Sequence, residues 1–155
     1  MKKRRFLFLA PLLLLCIAAG CAKKAVLPAA DVARAALDSQ IYTEEMTELS
    51  RSRTDALLEL SDGDVTEAVL LMDASRSTPE MIAVLTCADS SSAAAAERTL
   101  TGYLESLRAQ YADYRPEEMP KLEAASVMRF DSQCVLVVAP DQAAARAAVN
   151  KAWGK

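Results

Sequence analysis

The chain has 155 residues, a formal net charge of −3 at pH 7, and 52% hydrophobic residues, which suits one domain with a modest apolar core. It contains no histidine, which removes His-based triads and the commonest zinc ligand, and its four glycines form no glycine-rich phosphate loop. The acidic balance argues against nucleic acid as a partner, since phosphates would repel it.

The first five residues carry Lys2, Lys3, Arg4 and Arg5, and an apolar run over 6–19 follows, interrupted by Pro11. A bilayer crossing wants about 20 apolar residues, so the run is short for a membrane span, and a proline inside it disfavours a straight helix. Charge followed by a short apolar stretch is the layout of a secretory signal. It ends in Ala18-Ala19-Gly20-Cys21, where small residues suit a protease cleft and the thiol can carry diacylglycerol. This resembles the lipobox of bacterial lipoproteins, with Ala18 where leucine is usual. The expected division is a signal peptide over 1–20, a lipidated Cys21 with a tether over 21–30, and a single α+β domain over 31–155. The blander alternative is an ordinary signal with Cys21 incidental. Acyl chains such as palmitate, two or more on one residue, give stable anchorage where one does not. The expected location is the extracytoplasmic face of the cell membrane, with membrane lipid as a partner through Cys21. Lys23 and Lys24 add a modest attraction to anionic headgroups. Loss of the four signal-peptide cations takes the formal charge from −3 to −7.

Past the tether, Asp31 is placed to N-cap a helix over 32–40. Residues 43–53 are polar apart from Met46 and Leu49 and suit a second short helix or an irregular link. Leu57, Leu58 and Leu60 mark a brief apolar turn closed by Ser61-Asp62-Gly63-Asp64. Residues 65–72 and 80–88 are rich in β-branched and long apolar side chains and predict two strands of a hairpin around Pro79. Asp89 then offers a cap for a helix to about 111, with Ala93, Ala96, Leu100, Leu104, Leu107 and Tyr111 in one stripe. Residues 114–122 contain Pro116 and Pro120 and predict a connection that is neither ladder nor helix interior. Two further strands are expected over 125–130 and 134–139, joined at Asp131-Ser132-Gln133. A last helix begins at Pro140-Asp141, with Ala144, Ala148 and Trp153 inward. The predicted fold is α+β: a four-stranded antiparallel sheet in a ββα-ββα arrangement, both helices on one face, behind one or two short N-terminal helices.

Several strings carry a family resemblance: Thr78-Pro79-Glu80-Met81-Ile82-Ala83-Val84, Asp89 after it, the helix end from Tyr111 to Tyr114, Pro116-Glu117-Glu118-Met119-Pro120-Lys121-Leu122, and the apolar strand from Cys134 before Pro140-Asp141. In this order and spacing, behind the lipobox, the chain resembles an uncharacterised family of lipoproteins, a domain of unknown function common in Gram-positive gut anaerobes. The resemblance covers most of the sequence from Asp31 on and implies fold and address but no activity. Cys87 and Cys134 depart from it, standing where ordinary apolar residues are expected.

Those two cysteines admit two readings. An oxidising exterior permits a bridge between them, whose long loop would stabilise by a few kcal/mol; alternatively they are buried free thiols behaving as small hydrophobes. Asp62, Asp64 and Glu67 lack the length and spacing of a calcium loop and suit an ordinary turn. Glu117 and Glu118 are adjacent and need not converge as an acid–base pair must. No cofactor or metal is implied. Tyr114, Arg115, Met119 and Lys121 flank the two-proline connection, a mixture that suits protein contact, against the plainer reading that they seal a helix end. The functional expectation is a non-catalytic protein-interaction module with another envelope protein as its partner. The alternative is a small-solute or cell-wall-ligand binding module, which needs a concave pocket.

Overall fold

The computed structural model describes residues 26–60 and 63–155. Cys21, with the expected signal and most of the tether, lies outside the described residues, as does Asp62. Helix α1 (Ala29–Leu37) leads to strand β1 (Met46–Glu48), α2 (Arg51–Leu58), β2 (Val65–Asp73), β3 (Met81–Cys87) and α3 (Ser90–Tyr114). A 3-10 turn (Pro116–Glu118), α4 (Met119–Ala124), β4 (Val127–Phe130), β5 (Gln133–Val138) and α5 (Gln142–Ala152) complete the chain.

The sheet is antiparallel with five strands, in the order β1-β2-β3-β5-β4, which corrects the expected four-stranded ββα-ββα arrangement. The added strand comes from the polar 43–53 stretch, where Met46, Thr47 and Glu48 pair with Asp73, Met72 and Leu71. Without it β2 would present an open row of N–H and C=O groups; a short, polar edge strand covers that row without inviting further pairing.

The placement of the helices is the second correction, since they cover both faces. On one face Leu70, Met81, Ala83, Leu85, Leu136 and Val138 pack with the α3 stripe of Ala96, Leu100, Leu104 and Leu107. On the other, Leu71, Ile82, Val84, Val135 and Val137 pack under α1 and α5. Every residue of β5 is buried, and so is every residue of β3 except Thr86. A fully buried valine or leucine is worth about 1.5–3 kcal/mol relative to an exposed one, so leaving one face of these two strands open would be strongly unfavourable.

Local details also differ from expectation. Pro28, not Asp31, is the N-cap of α1, and Asp31 lies in the first turn, near the positive helix end. The apolar turn around Leu57 is the end of α2, stopped by Glu59 in the left-handed region at φ 52°. The two-proline connection is mostly helical: Pro116 opens the 3-10 turn and Pro120 sits in the first turn of α4, where the missing N–H has no intrahelical partner to lose. The buried stripe of α5 is Ala145 and Val149, followed by Trp153, one residue on from the expected Ala144 and Ala148. Asp89 does cap α3, accepting the Ser92 N–H at 2.8 Å.

Candidate functional site

At one end of the sheet the β2–β3 loop, the lead-in to β1, and the segment from the end of α3 through α4 meet around two buried carboxylates. Asp73, the last residue of β2, is fully buried. Its Oδ1 accepts the Ser75 N–H and hydroxyl, both at 2.7 Å, and its Oδ2 accepts the N–H and hydroxyl groups of Ser77 and Thr78 at 2.8–3.2 Å. The loop bends back through Arg76, in the left-handed region at φ 60°. Burial alone would raise the Asp73 carboxyl; the hydrogen bonds from Ser75 and Thr78 outweigh it and hold the group well below the usual carboxylate range. With both oxygens committed to N–H and O–H donors, this carboxylate organises the loop.

Glu80, immediately before β3, is likewise fully buried. It accepts the Thr43 hydroxyl, the Thr43 N–H at 2.9 Å, and the Lys121 ammonium at 2.9 Å. Burial pushes its carboxyl up, but the Thr43 hydroxyl, Lys121 and the Thr43 N–H together bring it below its ordinary value. Lys121 also pairs with Glu118 at 2.7 Å. Its own ionisation is raised, because the hydrogen bonds to Glu118 and Glu80 outweigh the burial that would lower it. The buried Tyr42 hydroxyl has no hydrogen-bond partner among the described residues, and burial, then the negative Glu80, pushes it above the ordinary phenol range.

The four residues expected to form a contact surface have different fates here. Lys121 is turned into the Glu80–Glu118 cluster with only 19% of its side chain exposed. Met119 is half-buried against the α3-side core. Arg115 donates to the Ser77 carbonyl at 2.7 Å and pairs with Glu117 at 2.9 Å, tying the end of α3 to the β2–β3 loop. Tyr114 alone projects, at 72% exposure. Arg108 adds a strut with no signal in the residue pattern, its guanidinium donating to the carbonyls of Leu122 and Ala125 at the end of α4.

Cys87 and Cys134 are buried free thiols on the same face of adjacent strands. Cys134 stands opposite Leu85, two residues from Cys87, so the cysteines are diagonal rather than facing. Diagonal Cβ atoms lie about 7–8 Å apart or slightly less, whereas a bridge needs about 3.8 Å. Burial, then the negative Asp64 and Asp89, raises the Cys87 thiol, and burial pushes Cys134 up to about 12. Both are protonated at neutral pH and are poor nucleophiles.

The acidic candidates diverge. Glu67 accepts the Ala29 N–H at 2.7 Å at the start of α1, while Asp64 accepts from the Ser92 hydroxyl at 3.5 Å. Glu117 faces Arg115 and Glu118 faces Lys121. Among the described residues no three His, Cys, Asp or Glu side chains group as a metal site.

The residues that sequence reasoning passed over are Asp73, Glu80, Arg108 and Gln133. Gln133 is fully buried; its amide donates to the Leu27 carbonyl and the Thr86 hydroxyl, both at 2.9 Å, and accepts from the Trp153 indole at 2.7 Å. A polar residue at the head of an apolar run, as Glu80 is before β3 and Gln133 is in β5, was the available signal.

The chain has no significant match among curated proteins or solved structures. A family model described as a domain of unknown function, DUF4358, matches residues 39–139. That span runs from the end of the α1 region to the residue after β5 and takes in all five strands and the whole carboxylate cluster, leaving α1 and α5 outside. With well over half of the chain inside it, the protein belongs to the DUF4358 family.

Proposed function

We propose that the protein is a lipoprotein, cleaved before Cys21 and anchored by lipid on that residue to the extracytoplasmic face of the cell membrane, where its domain serves as a non-catalytic protein-interaction module. The basic start, the short apolar run and the small residues before Cys21 support the address. Among the described residues no helix is long and apolar enough to cross a membrane.

The observation that carries the interaction reading is Tyr114. A tyrosine 72% exposed at the end of a 25-residue helix is a large amphipathic contact left in water. Its platform is fixed beforehand, because Arg115 is tied to Ser77, Arg108 to α4, and Lys121 to Glu80 and Glu118. A rigid base lowers the entropy lost when an aromatic anchor docks, which is how a few residues come to dominate an interface.

The test has two parts. Incorporation of labelled palmitate by the full chain should vanish in Cys21→Ser; label retained in that variant removes the anchor. A photo-crosslinking residue at position 114, in cells, should capture one defined protein, and Tyr114→Ser should compete for it at least about tenfold less well, as expected for a contact worth ≥1.4 kcal/mol. Abundant, lipidated protein that captures nothing specific at position 114 defeats the module reading.

A further inference from the structure

Two concavities flank Leu57 on the α2–α3 side of the domain. One, of about 450 Å³, runs between α2 and α3 and is lined by Leu57, Glu59, Arg98 and Tyr103 among others. The second, of about 400 Å³, is lined by Leu57, Arg53 and Arg76. Leu57 stands between them as one of three large hydrophobic side chains left exposed among the described residues. Arg53, Arg76 and Arg98 have no carboxylate partner among the described residues, whereas Arg51, Arg108, Arg115 and Arg129 each hold one. Three arginines against the one Glu59 carboxylate around an apolar ridge leave a local excess of positive charge on a chain of net charge −3. Arg76 adjoins Ser77, whose carbonyl holds Arg115, so the surface continues toward Tyr114.

We propose that this double groove binds an acidic, leucine-type segment of a partner protein, with an apolar side chain beside Leu57 and carboxylates on Arg53, Arg76 and Arg98. This rests on the interaction-module reading and names the partner's chemistry. Guanidinium groups present forked donors that match carboxylates, and a cluster of them steers an acidic partner inward. A concave site receives side chains better than it meets a flat bilayer. The direction of the chain agrees, for α1 packs on the opposite face of the sheet from α3. The stretch from Cys21 to Val26 reaches at most about 18 Å when fully extended, which keeps the α1 side nearer the lipid.

The test uses the full lipidated chain in neutral detergent and three probes read by fluorescence anisotropy: a labelled peptide of alternating glutamate and leucine, its glutamine–leucine counterpart, and labelled short-chain phosphatidylglycerol. The acidic peptide should bind tightest. Its affinity should fall about tenfold in Arg53→Gln/Arg76→Gln/Arg98→Gln, as three exposed ion pairs predict, and should fall also in Leu57→Ser, with circular dichroism unchanged in both. Equal binding of the two peptides, or a triple variant that binds like wild type, overturns the proposal. So does arginine-dependent binding of phosphatidylglycerol without the peptide, which assigns the groove to an anionic membrane surface. Failure of the peptide while capture at position 114 persists removes the groove alone; failure of the peptide together with loss of that capture removes the module reading as well.

Discussion

Replacing Lys121 with methionine isolates the contribution of the buried ion cluster. The substitution keeps the length and packing of the stem while removing the charge that faces Glu80 at 2.9 Å and Glu118 at 2.7 Å. Removing one member of a buried pair costs about 3–5 kcal/mol, because the other charge is left uncompensated. Two features reduce that figure here. Water reaches part of the site, since 19% of the Lys121 side chain is exposed, and Thr43 still donates its N–H and hydroxyl to Glu80. The expected loss is about 2–3 kcal/mol, a large share of the roughly 5–15 kcal/mol that holds a domain together. The pH dependence gives the sharper signature. In the wild type the folded Glu80 carboxyl lies below its ordinary value, so its contribution is present above the unfolded value of about 4.3 and is lost as pH falls through the lower folded one. Without the ammonium, burial dominates and the folded carboxyl rises, so the variant's deficit is greatest at pH ~7 and shrinks toward pH ~4. Urea unfolding followed by far-ultraviolet circular dichroism at both pH values measures this. Glu80→Gln added to the variant should restore more than half of the loss. A deficit below about 0.5 kcal/mol at neutral pH, or one equally large in acid, would show that Lys121 does not stabilise the fold through these carboxylates.

Three further outcomes follow from single contacts. Asp73→Ala removes the acceptor shared by Ser75, Ser77 and Thr78. It should cost about 2–4 kcal/mol and speed hydrogen exchange at those amides. Because the folded Asp73 carboxyl is lowered, that deficit too should narrow in acid as wild-type Asp73 protonates; unchanged exchange would show that the loop holds without it. Gln133→Leu strands the Trp153 indole N–H and the Leu27 carbonyl, for an expected loss of about 2–3 kcal/mol and a red-shifted emission from the chain's single tryptophan. Unshifted emission with full stability would contradict the hub role. For Cys87 and Cys134, non-reducing peptide mapping should recover two free thiols, with slow labelling in the native protein and a Tm indifferent to reductant; a bridged peptide would overturn the diagonal placement drawn from the register.

The local signals in the sequence carried much of the secondary structure. Asp89 does cap α3, and the three-and-four spacing from Ala93 to Tyr111 does face the core. Pairings across long separations were not legible. Glu80 and Lys121 stand 41 residues apart, and Gln133 and Leu27 stand 106 apart. Residue type alone cannot say that a lysine beside two prolines will fold inward, so it reads as surface until the partner carboxylate is located. Lys121 turns inward for that reason, and Tyr114, which has no buried polar group to satisfy, is the member of the expected surface left most exposed.

The two-faced core was legible in principle. A strand covered on one side alternates apolar and polar, while one covered on both sides reads as a continuous apolar run. β3 runs Met81-Ile82-Ala83-Val84-Leu85 without a break before Thr86 and β5 ends Cys134-Val135-Leu136-Val137-Val138, whereas β4, at the edge, places Arg129 among apolar neighbours. Ile82, Val84, Val135 and Val137 therefore require a second layer, and the segments able to supply it are the alanine-rich 29–37 and 142–152, which became α1 and α5. Alanine gives such helices little side chain to hold them off the sheet, so they settle close over β-branched residues. A substitution of Ala33 or Ala145 by leucine would force that layer outward, at a cost of about 1–3 kcal/mol for overpacking. The same change at exposed Ala143 should be nearly silent. If Ala145→Leu and Ala143→Leu unfold at the same urea concentration, α5 does not press on the sheet and the second layer is not what closes this fold.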